Sequence, residues 1–540
     1  MDFKRTPLNL FVVLYACLGT ASVYAANVPA GVKLAKNQSI VIDNKAEPET
    51  LDPNLIEGIP GAHIDDQLFE GLVIFNSHGK MIPGVAKSWE NKDNKVYIFH
   101  LRHDAKWSNG KPVTAQDFVY SWRRLANPKT ASPYAYYLQL TNMKNVDAIV
   151  NGKMNPDKLG VQALDAHTLK VTLAKPVPYF VKMMANSSVL PVYPPVIKKW
   201  GDKWTQPDHI VSNGAYKLTK WVVNGQIDMV RNPYYWNNAK TVINHVKMLP
   251  LSNAQAAMNR FFAGEIDIAH FPTVQYRHLE HEYPQDLKVT GILGSYYYSF
   301  NLNKPPLNDV RVRKALSYAI NRNIITQKIL GQGQLPAYNL TPAAVAGYTP
   351  PTPAYATWTQ AQRDKKAVEL MKEAGYGKGG KHLKLTILYN TRENNKKIAL
   401  AIGEMWQKLG VKVNLENQEW KTYLQTLQQR QFQVARTDWY GDYNEPSTFL
   451  SLMTTGNVQN NPQFSNKKYD TLIHTAMNIS NEAKRYADYR KAELILAKDM
   501  PIAPIYQFVN ARLVRPTVGG YPMHNAMNDY YVKNMYMKAK

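Results

Sequence analysis

Three carboxylates crowd into twelve residues of a strongly basic chain. The stretch DWYGDYNEPSTF (438–449) sets Asp438, Asp442 and Glu445 among Trp439, Tyr440 and Tyr443, although the 540-residue sequence carries a formal charge of +24. Side chains of these types can do three kinds of work. Asp442 and Glu445 can act as acid and base if both face one substrate bond and their pKa values are driven apart. A carboxylate beside rings can instead capture a primary amine, because it accepts charge-assisted hydrogen bonds while the rings exclude water and strengthen the pairing. The third reading is architectural: Trp439 and Tyr443 fill a core, and Asn444-Glu445-Pro446 caps a turn. Spacing alone does not bring two carboxyls onto one bond, whereas a cationic ligand explains a local acid patch in a basic protein.

Other motifs fail on context. Gly375-Tyr-Gly-Lys-Gly-Gly380-Lys381-His382 is one residue short of a phosphate loop. It has His382 where Ser or Thr would hold Mg²⁺, and it runs from helix into strand, so it reads as a helix stop and turn. Gly331-Gln-Gly333 lacks the third glycine of a dinucleotide fingerprint and reads as a turn. His278-Leu-Glu280-His281-Glu282 has ligand-type residues without H-E-x-x-H spacing or a cysteine partner, and reads as a solvated helix face. No G-x-S-x-G elbow occurs. Neither a metal nor a cofactor is expected.

The elements that must hold DWYGDYNEP follow from periodicity. Leu385 to Leu388 is a strand, Ile398, Ile402, Met405, Trp406 and Leu409 recur at helical spacing before Gly410, and Val411, Val413 and Leu415 alternate. Residues 385–415 are therefore a strand, helix, strand unit with parallel pairing, and the fold class is α/β. Phe432 to Thr437 is a further strand, which puts DWYGDYNEP at its carboxyl end, where open α/β sheets bind ligands. Earlier, Ser39 to Ile42 and Val96 to Leu101 read as strands, Thr114 caps a helix through Trp122, and His167 to Leu173 alternates. Ala254 to Phe262 is a helix stopped by Gly264, after which Glu265 to Ile268 is extended.

A chain of this length divides into two or three lobes. Its start reads as an export signal: Lys4 and Arg5, an apolar run from Leu8 to Leu18, then Ser22-Val23-Tyr24-Ala25 with cleavage after Ala25. The one cysteine, Cys17, lies in this segment; a lipidation site at Leu14 to Cys17 is the competing reading, against which Tyr15 fits poorly. The mature chain is thus expected to be soluble, exported and without thiols. Removing Asp2, Lys4 and Arg5 leaves +23, but the Lys and Arg are dispersed, with no run of five and no nucleic-acid-binding signature, so nucleic acid is not an expected partner.

DWYGDYNEPSTF, with ILYNTRENNKKIALAIGEMWQKLGVKVNLENQEWKTYL before it, PLNDVRVRKALSYAINRN further back, KWSNGKPVTAQDFVYSWRRL and the closing NARLVRP, resembles the periplasmic oligopeptide-binding proteins of ABC importers, including the murein-tripeptide-binding relative. The resemblance runs from about Val28 to the C-terminus. It implies a three-lobed periplasmic binding protein fold (type II, large peptide-binding class) with hinged closure. The lobes would be 26–69 with 194–293 and 510–540, an inserted lobe 70–193, and 294–509. It further implies a monomeric periplasmic receptor for short peptides of about 2–5 residues, held extended through their backbone, and an inner-membrane ABC permease as partner.

By motif position the resemblance assigns Asp442 to the peptide α-amine with Trp439, Tyr440 and Gly441 beside it. It assigns Arg436 to a C-terminal carboxylate, and Glu57, Tyr134, Tyr297 and Trp420 to the pocket lining. The chain departs from the family by having Leu330, Asn395 and Leu427 where relatives place further basic residues, with Arg430 and Arg392 close in sequence. That departure suggests a narrowed length preference, for tripeptides or cell-wall peptide. The alternatives are a murein-peptide-specific receptor, a peptide-binding chaperone, and, from another class, a carboxylate-based hydrolase, which would cut the ligand that a receptor returns intact. The expectation is a binding protein, not an enzyme.

Overall fold

The computed structural model describes residues 28–539 except 57, 77, 378, 379, 419 and 458. The export segment, the expected cleavage after Ala25 and Cys17 lie outside the described residues. The strands that bear on the site are, in chain order, β1 (Ser39–Asp43), β2 (Ala86–Lys92), β3 (Val96–Leu101), β4 (Val161–Asp165), β5 (Thr168–Thr172), β6 (Tyr216–Val222), β7 (Gln226–Arg231), β8 (His245–Leu249), β9 (Ile268–Ala269), β10 (Leu287–Phe300), β11 (Leu383–Asn390), β12 (Val411–Gln418), β13 (Val434–Tyr440) and β14 (Ile502–Val514). The helices are α1 (Ile59–Leu68), α2 (Ala115–Ala126), α3 (Ala135–Leu140), α4 (Phe180–Met183), α5 (Ala254–Phe262), α6 (Glu393–Gln407), α7 (Ser447–Leu450) and α8 (Glu482–Asp499).

Ten strands of an eleven-stranded mixed sheet follow in the order β12-β11-β13-β10-β14-β9-β1-β8-β7-β6, the eleventh, Leu335–Pro336, pairs with β14, and the four strands β2-β3-β5-β4 form a separate antiparallel sheet. Alternation builds the small sheet: β3 buries Tyr97, Phe99 and Leu101, and β5 buries Leu169 and Val171. Its covering helix α2 starts at Thr114, whose N–H donates to the Asp117 carboxylate at 2.8 Å, and Trp107 donates its indole N–H to the same carboxylate at 3.3 Å. The KWSNG…QDFVYSW motif is thus a core-building unit, with Trp107 and Trp122 both fully buried.

At the other end of the large sheet, β11, α6 and β12 form the expected unit. β11 pairs in parallel with β12 from Leu383↔Val411 to Asn390↔Gln418, and also in parallel with β13. The crossover helix buries Ile398, Ile402 and Trp406 completely, each contributing about 1.5–3 kcal/mol of apolar burial. Gly410, at φ +77°, makes the left-handed turn that returns the chain into β12.

Two long strands carry the sheet from one end to the other. β10 and β14 pair antiparallel from Leu287↔Leu513 to Ser299↔Ile502, with register shifts between Gly291 and Ser295 and between Tyr296 and Tyr297. The segment boundaries expected at 293/294 and 509/510 fall inside these strands, the first within the larger shift. The 70–193 segment contains the whole four-stranded sheet.

Candidate functional site

β13 runs three residues beyond the expected Thr437 because β10 continues beside it, pairing Tyr296↔Asp438, Ser295↔Trp439 and Gly294↔Tyr440. Alternation then sorts the motif. Arg436, Asp438 and Tyr440 share one face of the strand, and Trp439 points the other way, packed partly buried against a core that includes Tyr297, Phe449 and Leu450. At Gly441 the strand ends: its N–H donates to Leu293 O at 2.9 Å, and an added Cβ would lie 3.0 Å from Thr448 Cγ2 and 3.1 Å from Phe449 Cε2. The tight passage fixes Asp442, whose own N–H donates to Thr448 Oγ1 at 3.1 Å.

The three carboxylates meet different fates. Asp438 forms an ion pair with Arg436 on the same strand face. Glu445, fully buried, accepts from Arg485 Nε at 2.6 Å, from Lys182 Nζ at 3.1 Å and from Tyr486 OH at 3.1 Å. It therefore fastens α8 and α4 to the motif rather than capping a turn. Asp442 accepts only from the Tyr136 hydroxyl, at 3.3 Å, and no Lys, Arg or His nitrogen lies within 4.0 Å of its carboxylate among the described residues. Burial pushes its pKa up from 3.8 to about 6, with Tyr136 pulling partly back. Its neighbour Tyr443 stacks on Tyr179 at 5.2 Å and 8°, joining the inserted segment to the motif.

Asp442 opens on a cleft of about 220 Å³. Its walls are the start of α1, the Tyr134 to Tyr137 region of α3, the α4 region with Lys182, the turn 440–444, and the loop 526–529. Of the residues expected in a ligand site, the structure brings together Asp442, Gly441, Tyr440 and Tyr134. Glu57 lies outside the described residues, although Ile56 and Gly58 line the cleft. Trp420 begins a helix (Trp420–Gln428), and its side chain also lies outside the described residues.

Two expected residues are elsewhere. Tyr297 is 2% exposed in the core with Leu293, Leu340 and Phe449, because β10 turns Tyr296 and Tyr298 to the opposite face; it does not line the cleft. Arg436 is 4% exposed, paired with Asp438, hydrogen-bonded to Asn390 Oδ1 at 3.2 Å and seated 4.8 Å from the Tyr296 ring centroid. Burial opposes its charge, but Tyr296 and Asp438 outweigh that and hold its pKa above the usual arginine value. Leu330, Asn395 and Leu427 are all buried, and exposed Arg392 directly precedes α6. Arg430 donates to Leu427 O at 2.8 Å and to Asn461 Oδ1. The His278, Glu280 and His281 side chains are exposed on a short helix, Tyr276–Glu282.

Residues 80–461 match the model of the bacterial extracellular solute-binding proteins, family 5. The chain belongs to that family. This family-5 binding protein is 48% identical over 528 residues, 97% of each chain, to the periplasmic oligopeptide-binding protein OppA of Salmonella typhimurium. Its fold matches the unliganded open form of the periplasmic murein tripeptide-binding protein MppA with a TM-score of 0.89, at 46% identity and covering 95% of this chain and 99% of that one. Against Haemophilus influenzae OppA in complex with the peptide RPPGFSPFR the TM-score is 0.73, at 43% identity and covering 94% and 100%. The mixed sheets are those of the type II solute-binding fold.

The cleft also holds residues that sequence reasoning missed: Tyr137, Lys182 and the loop 526–529, with Tyr136 at its edge. One signal was available for the loop. Asn-Asp-Tyr-Tyr at 528–531 repeats the acid-beside-rings composition of DWYGDY on a smaller scale.

Proposed function

We propose that this chain is an extracytoplasmic receptor that binds short peptides in extended form and delivers them to an inner-membrane ABC permease, releasing the ligand uncut. The single observation behind it is Asp442: of the motif's three carboxylates it is the one without a cationic partner among the described residues, and it faces the cleft. A partly desolvated carboxylate with rings beside it is matched by a peptide α-ammonium, and backbone hydrogen bonds supply affinity without demanding particular side chains. Micromolar binding, about 8 kcal/mol, is within reach of one such contact and a set of main-chain bonds. Tyr440, Gly441 and Tyr134 are assigned to the same ligand. Closure is assigned to movement of 294–509 against the other lobes about β10 and β14, whose register breaks between Gly291 and Ser295. Export to the periplasm follows from the N-terminal signal and the periplasmic relatives. The likeness to the murein tripeptide-binding protein favours a murein-peptide receptor as the second reading.

Calorimetry with di-, tri-, tetra- and pentapeptides, followed by mass spectrometry of the recovered ligand, tests both. Micromolar binding with intact peptide returned is the expected result; cleaved peptide, or no binding at any length, overturns the receptor assignment. Murein tripeptide binding far more tightly than alanine peptides would select the second reading.

A further inference from the structure

Asp442 is not the only acid on the cleft wall. Asp529, in the loop 526–529, lines the same cavity, and its carboxylate has no hydrogen bond or ion pair among the described residues. The loop is built, not slack. Leu293 N–H donates to Ala526 O at 2.8 Å, His63 Nε2 lies 2.9 Å from Asn528 O, and Asn510 donates to Asn528 Oδ1 at 2.6 Å. Asn528 itself takes φ +64°, a left-handed conformation that asparagine tolerates better than most residues.

Behind Asp529 stands Asp66. On α1, Ile59, Ala62 and Asp66 fall at i, i+3 and i+7, one stripe of the helix, and the first two line the cleft. The buried Oδ2 of Asp66 accepts no hydrogen bond among the described residues. The cation nearest in sequence, Lys533, is committed to Glu70 Oε2 at 2.5 Å and to Tyr235 OH at 2.8 Å. Burial raises both acids, Asp529 to about 7; at Asp66 the charge of Asp529 adds to burial and Lys533 pulls partly back, so a cation in the cleft would favour the charged form of the pair. The only basic residue among the described lining, Lys182, is held by Glu445 and Glu482.

The two cleft acids are neighbours through the backbone. Gly441 N–H donates to Leu293 O and Leu293 N–H to Ala526 O, so Leu293 ties together the segments that carry Asp442 and Asp529. Tyr137, between the lobes, is raised first by burial and then by the charge of Asp442, with Asp529 contributing as well. An extended lysine offers two cations to such a wall: its α- and ε-nitrogens stand roughly 7 Å apart, and each reaches an oxygen across one hydrogen bond.

We infer that Asp529, backed by Asp66, is a second cation receptor in the cleft, and that it selects peptides whose first residue carries a side-chain amine, with the α-amine on Asp442 and the side-chain amine on Asp529. This rests on the peptide-receptor reading. It makes the first side chain a specificity determinant in addition to the terminus.

The test is titration calorimetry on the full mature chain with Lys-Ala-Ala, norleucine-Ala-Ala, which keeps the aliphatic stem without the amine, and Ala-Ala-Ala. Wild type is expected to bind the lysine peptide at least roughly tenfold tighter than the norleucine peptide. Asp529→Asn should bring that ratio to about one while leaving norleucine-Ala-Ala within about twofold, and Asp442→Asn should weaken both peptides and preserve the ratio. A wild-type ratio near one, or a ratio unchanged by Asp529→Asn, overturns the inference while the receptor reading stands. Failure of all three peptides to bind sinks the receptor reading itself. Should Asp529→Asn not fold, the wild-type ratio alone decides.

Discussion

Burial in the cleft holds the Asp442 carboxylate at a cost, and that cost sets a pH dependence for binding. Burial moves its pKa from 3.8 to about 6; at about 1.4 kcal/mol per tenfold change, the unliganded site disfavours the carboxylate by roughly 3 kcal/mol. A peptide ammonium restores the charged form, so the pKa falls on binding and protons leave below neutrality. The sign is fixed: affinity is full above about pH 6 and is lost as pH falls through it. With Ala-Ala-Ala, which leaves Asp529 without a partner, binding at pH 5 should be roughly tenfold weaker than at pH 7, with release of about half a proton at pH 6. Calorimetry in two buffers of different ionisation enthalpy measures that proton. Asp442→Asn should flatten the profile and weaken Ala-Ala-Ala by roughly hundredfold, the low end of the 3–5 kcal/mol for breaking a buried pair because the site keeps some solvent contact. Constant affinity from pH 5 to 7 with no proton release would refute the reasoning.

Three further outcomes follow from the same contacts. Glu445→Gln leaves Arg485 buried with its partner gone, at a cost of roughly 3–5 kcal/mol, and should lower the calorimetric Tm clearly; an unchanged Tm would show that the Arg485–Glu445–Lys182 junction is not structural. Gly441→Ala presses a methyl against Thr448 and Phe449 and should cost about 1–3 kcal/mol while weakening peptide binding several-fold, checked by melting and calorimetry together. Glu493, 2% exposed and without a well-formed hydrogen bond to either oxygen among the described residues, is raised by burial to about 8, with Thr341 and Tyr348 pulling partly back. Because its folded pKa lies above the unfolded one, the stability it allows is complete below about pH 4.5 and declines as pH rises through 8. Glu493→Gln should therefore raise Tm at pH 9 and hardly change it near pH 4.5, and equal shifts at both would contradict that.

Local pattern carried the parts of the fold that local pattern determines. The β11, α6, β12 unit was legible because apolar spacing switches from two to about three and a half and back, with Gly410 supplying the turn. The same holds for β3, for α2 behind Thr114, and for α5 stopped at Gly264. What could not be read depends on partners far along the chain. β13 extends to Tyr440 because β10 lies alongside, about 140 residues earlier in the chain. Tyr296, Tyr297 and Tyr298 offer a ring to both faces of β10, so no alternation says which one is core. Asp438, Asp442 and Glu445 are chemically alike in sequence; what separates them is Arg436 two residues away, Arg485 forty residues on, and for Asp442 the lack of either. Asp529 went unnoticed because its relation to Asp442 passes through Leu293 and Ala526, a contact written only in the folded chain.

The most direct measurement is a four-way calorimetric cycle: wild type and Asp442→Asn, each titrated with Ala-Ala-Ala and with N-acetyl-Ala-Ala-Ala. If Asp442 holds the ligand's ammonium, acetylation should cost wild type roughly hundredfold in affinity and cost the variant almost nothing. An acetylation penalty of equal size in both proteins would place the amine somewhere other than on Asp442.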